Sequence, residues 1–357
     1  MSNFPLAYQL SWLPRLLRPS LRGDRQNSLP ANAALMSEPP TEARRLLFIG
    51  DISAVANRGT PEVDDRLRAL MASADLVVGN CESPVVERGR RLLGTRHTMP
   101  PRFVASALEA AGIEPQRLVL SLANNHMLDQ GVNGYAETRE HLSRLGIATI
   151  GGSDDGLVRT IELDGLEVGF AAFTKWRNAS KAAFAGRVTD LEDLLDDDAA
   201  PLHHSRADLL CVVAHWDYEF RHSPRPATRA LAHDLAESGA GLIVGHHAHV
   251  LQPVERIRDA LVAFGVGDFL GTALPRVRWP LRLGGILAVD ISADAATKGE
   301  IAAYAMVPFA RERAGRHERL VPLDAVAGRV GDLMRERFGQ VFPSANGQLA
   351  LRRFPHA

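Results

Sequence analysis

The sequence predicts an α/β protein whose parallel strands deliver polar side chains to one edge of a sheet. Short apolar runs such as 46–50 and 242–245 stop abruptly at acids, amides or histidines, and stretches with a 3.6-residue apolar period alternate with them. The same design recurs at five places along the chain, and parallel strands bring their C-terminal ends to one edge.

Taken in order, residues 46–51 form the first strand, closing on Asp51. Residues 61–72 have helical spacing through Val63, Leu67, Leu70 and Met71, with Pro61 tolerated in the first turn. Residues 75–82 form a second strand running into Asn80, Cys81 and Glu82. An arginine-rich loop at 86–101 carries Arg90, Arg91, Arg96 and His97, with Arg96 and His97 as candidate substrate contacts. A helix at 103–111 precedes a third strand at 117–123, which ends in Asn124, Asn125 and His126, with Asp129 three residues on. The helix at 132–145 stops at Gly146, and a short strand follows at 146–152.

Residues 157–174 read as a hairpin about Asp164-Gly165. The acids between 190 and 198 surround leucines at helical spacing and read as a solvated helix face. A buried strand at 207–214 ends in His215, Trp216 and Asp217. After a helix at 226–238, the run 242–245 leads into His246, His247 and His249, the last two sharing one face if the chain is extended. Strands at 261–269, 284–291 and 300–308 and a helix at 322–338 complete the pattern, before a loose arginine-bearing tail.

Residues 1–44 are expected as an extension, 45–310 as the main domain, and 311–357 as a C-terminal helix and tail. Leu6, Leu10, Leu13, Leu17 and Leu21 would form one interfacial helical stripe, which Pro14 and Pro19 are expected to break. Residues 26–43 read as a linker, and Met36 within it is an alternative start.

The chain has 357 residues, 46% hydrophobic, with a net charge of −1. That balance gives no footprint for nucleic acid. Its two cysteines, Cys81 and Cys211, make no disulfide framework and fit a reducing compartment. No run approaches the roughly 20 apolar residues needed to span a bilayer. A cytoplasmic location is expected, with peripheral membrane contact as the alternative.

Together the strand ends offer Asp51, Asn80, Glu82, Asn125, His126, His215, His247 and His249. Carboxylate, amide and imidazole donors suit one or two divalent ions of manganese, iron, zinc or cobalt. Trp216 and His246 are further candidates for substrate contact.

GDI at 50–52, GNCESP at 79–84, LANNHMLDQG at 122–131, VAHWDYEF at 213–220, GHHAHVLQPVE at 245–255 and FGVGDF at 264–269 are similar to the CapA family of capsule or poly-γ-glutamate synthesis proteins, related to calcineurin-like metallophosphoesterases. The resemblance implies a four-layer α/β/β/α fold and a site equivalent to a two-metal phosphoesterase site. It makes Asp51 the first acidic ligand, Asn125 the metal-binding amide, His215 the lone histidine ligand, and His247 with His249 the His-x-His pair. His126 becomes the histidine that steadies substrate or protonates a leaving group, with Asp129 orienting it. The register leaves His246 interchangeable with His247. Two departures stand out: Ser53 occupies the place of a phosphoesterase histidine, and Asn80 with Glu82 that of the bridging aspartate. Metal-dependent hydrolysis of a phosphoester or of a capsule-related substrate is therefore expected. The alternatives are epimerisation of a peptide or amino-acid α-carbon, with Glu82 in an acid–base pair, and a non-catalytic role in a polymer-synthesis complex.

Overall fold

The computed structural model describes residues 2–24, 27–55, 57–90, 96–195, 202–271 and 278–343; Arg91, the acids at 196–198 and the tail from 344 lie outside them. The elements begin with α1 (Leu6–Leu17), β1 (Asn32–Ala34), β2 (Ala43–Ile52), β3 (Glu62–Val63), α2 (Asp65–Ala72), β4 (Leu76–Cys81), α3 (Pro101–Ala111) and β5 (Leu118–Ser121). They continue with α4 (Gly131–Arg144), β6 (Ala148–Ile150), β7 (Arg159–Leu163), β8 (Leu166–Thr174), α5 (Lys181–Phe184), α6 (Leu191–Leu194), β9 (Leu209–His215) and α7 (Pro226–Glu237). Last come β10 (Leu242–His246), β11 (Val254–Ile257), β12 (Ala260–Ala263), β13 (Asp268–Leu270), β14 (Leu283–Ser292), β15 (Ile301–Ala314), β16 (His317–Pro322) and α8 (Gly328–Val341).

Two mixed sheets result. One follows the order β3, β16, β15, β14, β2, β4, β5, β6, with β1 beside β15 and β13 beside β2; the other runs β11, β12, β10, β9, β8, β7. Strand β9 explains why the sheets pack and what lies between them. Leu209, Cys211 and Val213 point into the main core, while Leu210, Val212, Ala214 and Trp216 join a second cluster under Leu231, Ala232 and Leu235 of α7. Period-2 alternation therefore gives the second sheet two buried faces. On the far side of the first sheet, Leu67 and Met71 of α2, Phe103 and Leu108 of α3, Leu142 of α4 and Phe338 of α8 pack into the main core. Helix, sheet, sheet and helix layers follow, as the resemblance implied.

Strands β2, β4, β5 and β6 are mutually parallel, as are β8, β9, β10 and β12. Their C-terminal ends gather the polar residues. The hairpin turn is where the sequence places it, with Asp164 and Gly165 both at positive φ.

Three expectations change at the chain's ends. Strand β15 crosses the expected boundary at 310, pairs with β16, and leads to α8 in the main core, so residues up to 343 belong to the same sandwich. The residues read as a linker include β1, which pairs Ala33 with Tyr304. Helix α1 runs through Pro14. An interior proline costs a helix about 3 kcal/mol; Tyr8, Trp12 and Arg15 offset it by docking on the body of the protein. Among the described residues no helix is long and apolar enough to cross a membrane.

Candidate metal centre

Asp51 ends β2, with Asn80 of β4 and Asp268 of β13 opposite it on the two neighbouring strands. From the facing sheet, His215 ends β9 and His246 ends β10, paired in register. Gly50 allows β13 this close, because a Cβ there would lie 2.0 Å from the Gly267 carbonyl oxygen. Gly245 does the same behind the histidines, where a Cβ would lie 1.9 Å from the Phe264 carbonyl oxygen.

Asp51 Oδ1 accepts from Asn80 Nδ2 at 2.7 Å and lies 3.1 Å from His246 Nδ1; its Oδ2 is 3.4 Å from His249 Nδ1. His249 Nδ1 is 2.7 Å from Asp268 Oδ1, and its Nε2 lies 3.5 Å from Glu82 Oε1 and 3.8 Å from Glu219 Oε1. His215 Nε2 is 2.7 Å from Asn125 Oδ1. Three overlapping triads converge within 4.8 Å: Glu82 with His215 and His247, Glu219 with His247 and His249, and Asp51 with Glu82 and His249. Glu82, Asp51, His215, His247 and His249 are all buried.

Among the described residues, Asp51 Oδ2, Glu82 Oε1, His246 Nε2 and His247 Nδ1 are buried without a hydrogen-bond partner. Leaving such atoms unmatched is costly in an apolar interior. A divalent cation satisfies carboxylate and imidazole lone pairs together, so the donor set fits one. Arg311, fully buried behind the cluster, holds Asp268 Oδ2 at 3.0 Å and Glu318 Oε1 at 3.2 Å.

The electrostatics divide the donors. Burial holds His215 and His247 well below the usual histidine range, so both are neutral and their lone pairs are available. Burial also opposes the charge on Asp51, but the bond from His246 and the nearby His249 imidazole outweigh it and hold the carboxyl well below its ordinary value. His249 pays a similar desolvation cost, yet Glu82 and Asp268 beside it hold it well above the usual range. Burial pushes Glu82 well up, towards its protonated form.

A second cluster adjoins the first. His126 Nδ1 lies 2.7 Å from Asp129 Oδ2, and the His97 ring stacks on His126 at 3.6 Å between centroids. The His97 backbone N–H donates to the same Asp129 oxygen at 2.6 Å. Asn178 links the two clusters, accepting from Asn125 Nδ2 and donating to Asp129 Oδ1. Arg96 is exposed and lines an open groove of about 770 Å³ with Arg88, Arg90 and Asp129.

Several assignments are corrected. Trp216 points to the opposite face of β9 from His215, donates to the Phe264 carbonyl oxygen at 3.0 Å and belongs to the α7-side core. Asn80 turns its amide nitrogen to Asp51 and its oxygen to Asn124 Nδ2, so as placed it positions Asp51 and is not among the triad donors. His247 and His249 do not sit in extended chain: both have positive φ, 79° and 55°, in the turn after β10. His246, placed among substrate contacts, is bonded to Asp51 inside the cluster. Nothing changes at Cys81: burial pushes its thiol up to about 12, and its sulfur donates to the Ser83 carbonyl, apart from the triads.

Two contributors were not anticipated. Glu219 reaches the cluster from the turn after β9, where Asp217 and Phe220 both have positive φ. Helix α1 lies over the histidines: Tyr8 Oη is 3.2 Å from His247 Nε2, Phe4 stacks on Trp176, and Trp12 Nε1 donates to Glu219 Oε2. Arg15 donates to the Glu219 carbonyl oxygen at 2.6 Å and lies over the Tyr8 and Tyr218 rings. The cluster is thus roofed by the chain's own N-terminal segment.

Residues 45–273, most of the sandwich and every donor named in the triads, match the family described as bacterial capsule synthesis protein PGA_cap. The chain belongs to this family. It is 28% identical over 250 residues to the capsule biosynthesis protein CapA of Bacillus anthracis, a match that covers 64% of this chain and 60% of that one. This PGA_cap chain therefore aligns with about 60% of that relative's length. It is also 29% identical over 171 residues to a probable polyglutamine synthesis accessory protein of Mycobacterium tuberculosis, covering 42% of this chain and 44% of that one. Among solved structures it is similar to a phosphatase from Mycoplasma pneumoniae, with a TM-score of 0.47 and 12% identity over 77% of this chain and 96% of that one.

Proposed function

We propose that this PGA_cap chain is a metal-dependent hydrolase acting on a phosphoester or on a capsule- or poly-γ-glutamate-related substrate. The observation that carries the reading is the convergence of buried carboxylate and imidazole donors, three of them (Asp51 Oδ2, Glu82 Oε1 and His247 Nδ1) without a hydrogen-bond partner among the described residues. Asp51, Glu82, Asn125, His215, His247 and His249 would hold one or two divalent ions, with Glu219 as an added carboxylate. A bound divalent ion supplies positive charge beside a reacting oxygen and eases loss of a proton from water.

The remaining steps belong to the chain. Asn80 and His246 hold Asp51 Oδ1, leaving Oδ2 directed at the cluster. Asp129 accepts from His126 Nδ1 and orients the ring; once the ring has taken up a second proton from solvent, Nε2 would give that proton to a leaving oxygen. Stacking of His97 fixes the plane of that ring. Manganese titration of chelator-free protein, followed by turnover of a generic phosphodiester, tests the proposal. Binding and turnover should both fall at least tenfold in His247→Ala; full retention of both overturns it.

A second reading, a non-catalytic accessory role in polymer synthesis, is supported by the closure of α1 over the cluster and by the accessory function named for the mycobacterial relative. It expects Asn125→Ala and His249→Ala proteins still to support the partner's polymer synthesis. Loss of that support in both excludes it.

A further inference from the structure

Of the exposed large hydrophobic side chains among the described residues, Leu6, Leu10, Leu13 and Leu17 are 69, 71, 55 and 48% exposed, and all four sit on α1. Their direction is fixed from the other side. Tyr8, Trp12 and Arg15 anchor α1 to the cluster, and each lies two positions from one of the leucines. Two residues are about 200° of helix, so docking the aromatic face necessarily turns the leucine face outward.

The rim of that face is cationic. Residues 1–23 contain no acid. Arg18 and Arg22 are exposed just beyond the helix; Arg278 donates to the Leu17 carbonyl oxygen and Arg221 reaches the Arg22 carbonyl oxygen from the body of the protein. An outward leucine stripe ending in arginines drawn from three parts of the chain complements a surface that is apolar inside and anionic at its boundary.

We propose that α1 docks the protein on an anionic phospholipid bilayer, lying in the plane of the interface with Leu6, Leu10, Leu13 and Leu17 inserted and the arginine rim on the headgroups. The same helix roofs the candidate metal site, so docking would set that site directly beneath the membrane surface.

Flotation of the full chain with vesicles tests this, comparing phosphatidylcholine alone with phosphatidylcholine containing about one third phosphatidylglycerol. The protein should float with the anionic vesicles, and partitioning should fall at least about tenfold in Leu10→Ser/Leu13→Ser. It should also fall severalfold in Arg18→Gln/Arg22→Gln, and in high salt. Both variants change exposed side chains, and an unchanged thermal midpoint confirms that each is folded. The proposal is overturned if the wild type floats with neither vesicle, if the leucine variant floats as well as the wild type, or if phosphatidylcholine alone serves equally. It is equally overturned if the wild type is a dimer in solution that the leucine substitutions turn into a monomer, because the stripe then belongs to a second copy.

Discussion

Replacing Arg311 by methionine isolates the cost of the charge behind the cluster. Its guanidinium is fully buried and bonds Asp268 Oδ2, Glu318 Oε1 and the Gly271 carbonyl oxygen at 3.0, 3.2 and 2.8 Å. Methionine fills much of the same space, so the loss is electrostatic, leaving two carboxylates short of their cation. Breaking a buried ion pair from one side costs about 3–5 kcal/mol. An unfolding entropy of about 2.1 cal/mol/K per residue, over roughly 300 ordered residues, gives about 0.6 kcal/mol per degree. The melting temperature of Arg311→Met should therefore fall by about 5–8 °C, read by calorimetry at neutral pH. A fall of less than about 1 °C would refute the claim that Asp268 and Glu318 depend on this partner. Manganese binding should weaken as well, because Asp268 Oδ1 orients His249 at 2.7 Å.

Other outcomes follow from the same coordinates. His249 is held above the usual histidine range by the carboxylates beside it, so it carries a proton that ligation must remove. Manganese affinity should rise with pH through the neutral range, with protons released on binding; calorimetric heats that do not depend on the buffer's ionisation enthalpy would contradict this. Tyr8→Ala removes the hydroxyl against His247 and part of the roof, and should raise turnover of a small phosphodiester severalfold while leaving the melting temperature within a few degrees. Asp129→Asn should lower kcat about 10²-fold or more with little change in metal content, if His126 is the proton donor. Gly245→Ala drives a Cβ into the Phe264 carbonyl oxygen, and should cost several degrees of melting temperature and part of the metal binding together.

The sandwich and much of the cluster were legible because a buried strand that ends at a site writes itself as an apolar run broken by a polar residue. Asp51, Asn125 and His215 stand out in this way. Glu219 did not, because it reaches the cluster through a turn with left-handed residues on either side, and positive φ at a non-glycine leaves no mark in a hydrophobic pattern. The same blindness made His247 and His249 look like neighbours on an extended strand. Trp216 was assigned by proximity to His215, yet adjacent strand residues face opposite ways. Helix α1 misled in another manner: the leucines carry its periodicity, but its attachment is made by Tyr8, Trp12 and Arg15, whose partners lie some two hundred residues away and cannot be read locally. The expected boundary at 310 failed because the long β15 leaves the core for solvent before the hairpin turns back.

The donors come from both sheets: Asp51 and Glu82 from one side of the gap, His215, His247 and His249 from the other. An ion held among them would be a rivet through two plates that already meet by packing and by the Asp51–His246 and Asp268–His249 bonds. Occupancy and sheet docking then become one equilibrium, in which free ion at a hundred times its dissociation constant adds about 2.7 kcal/mol to the folded state. Metal supply would thereby set the lifetime of the protein as well as its chemistry.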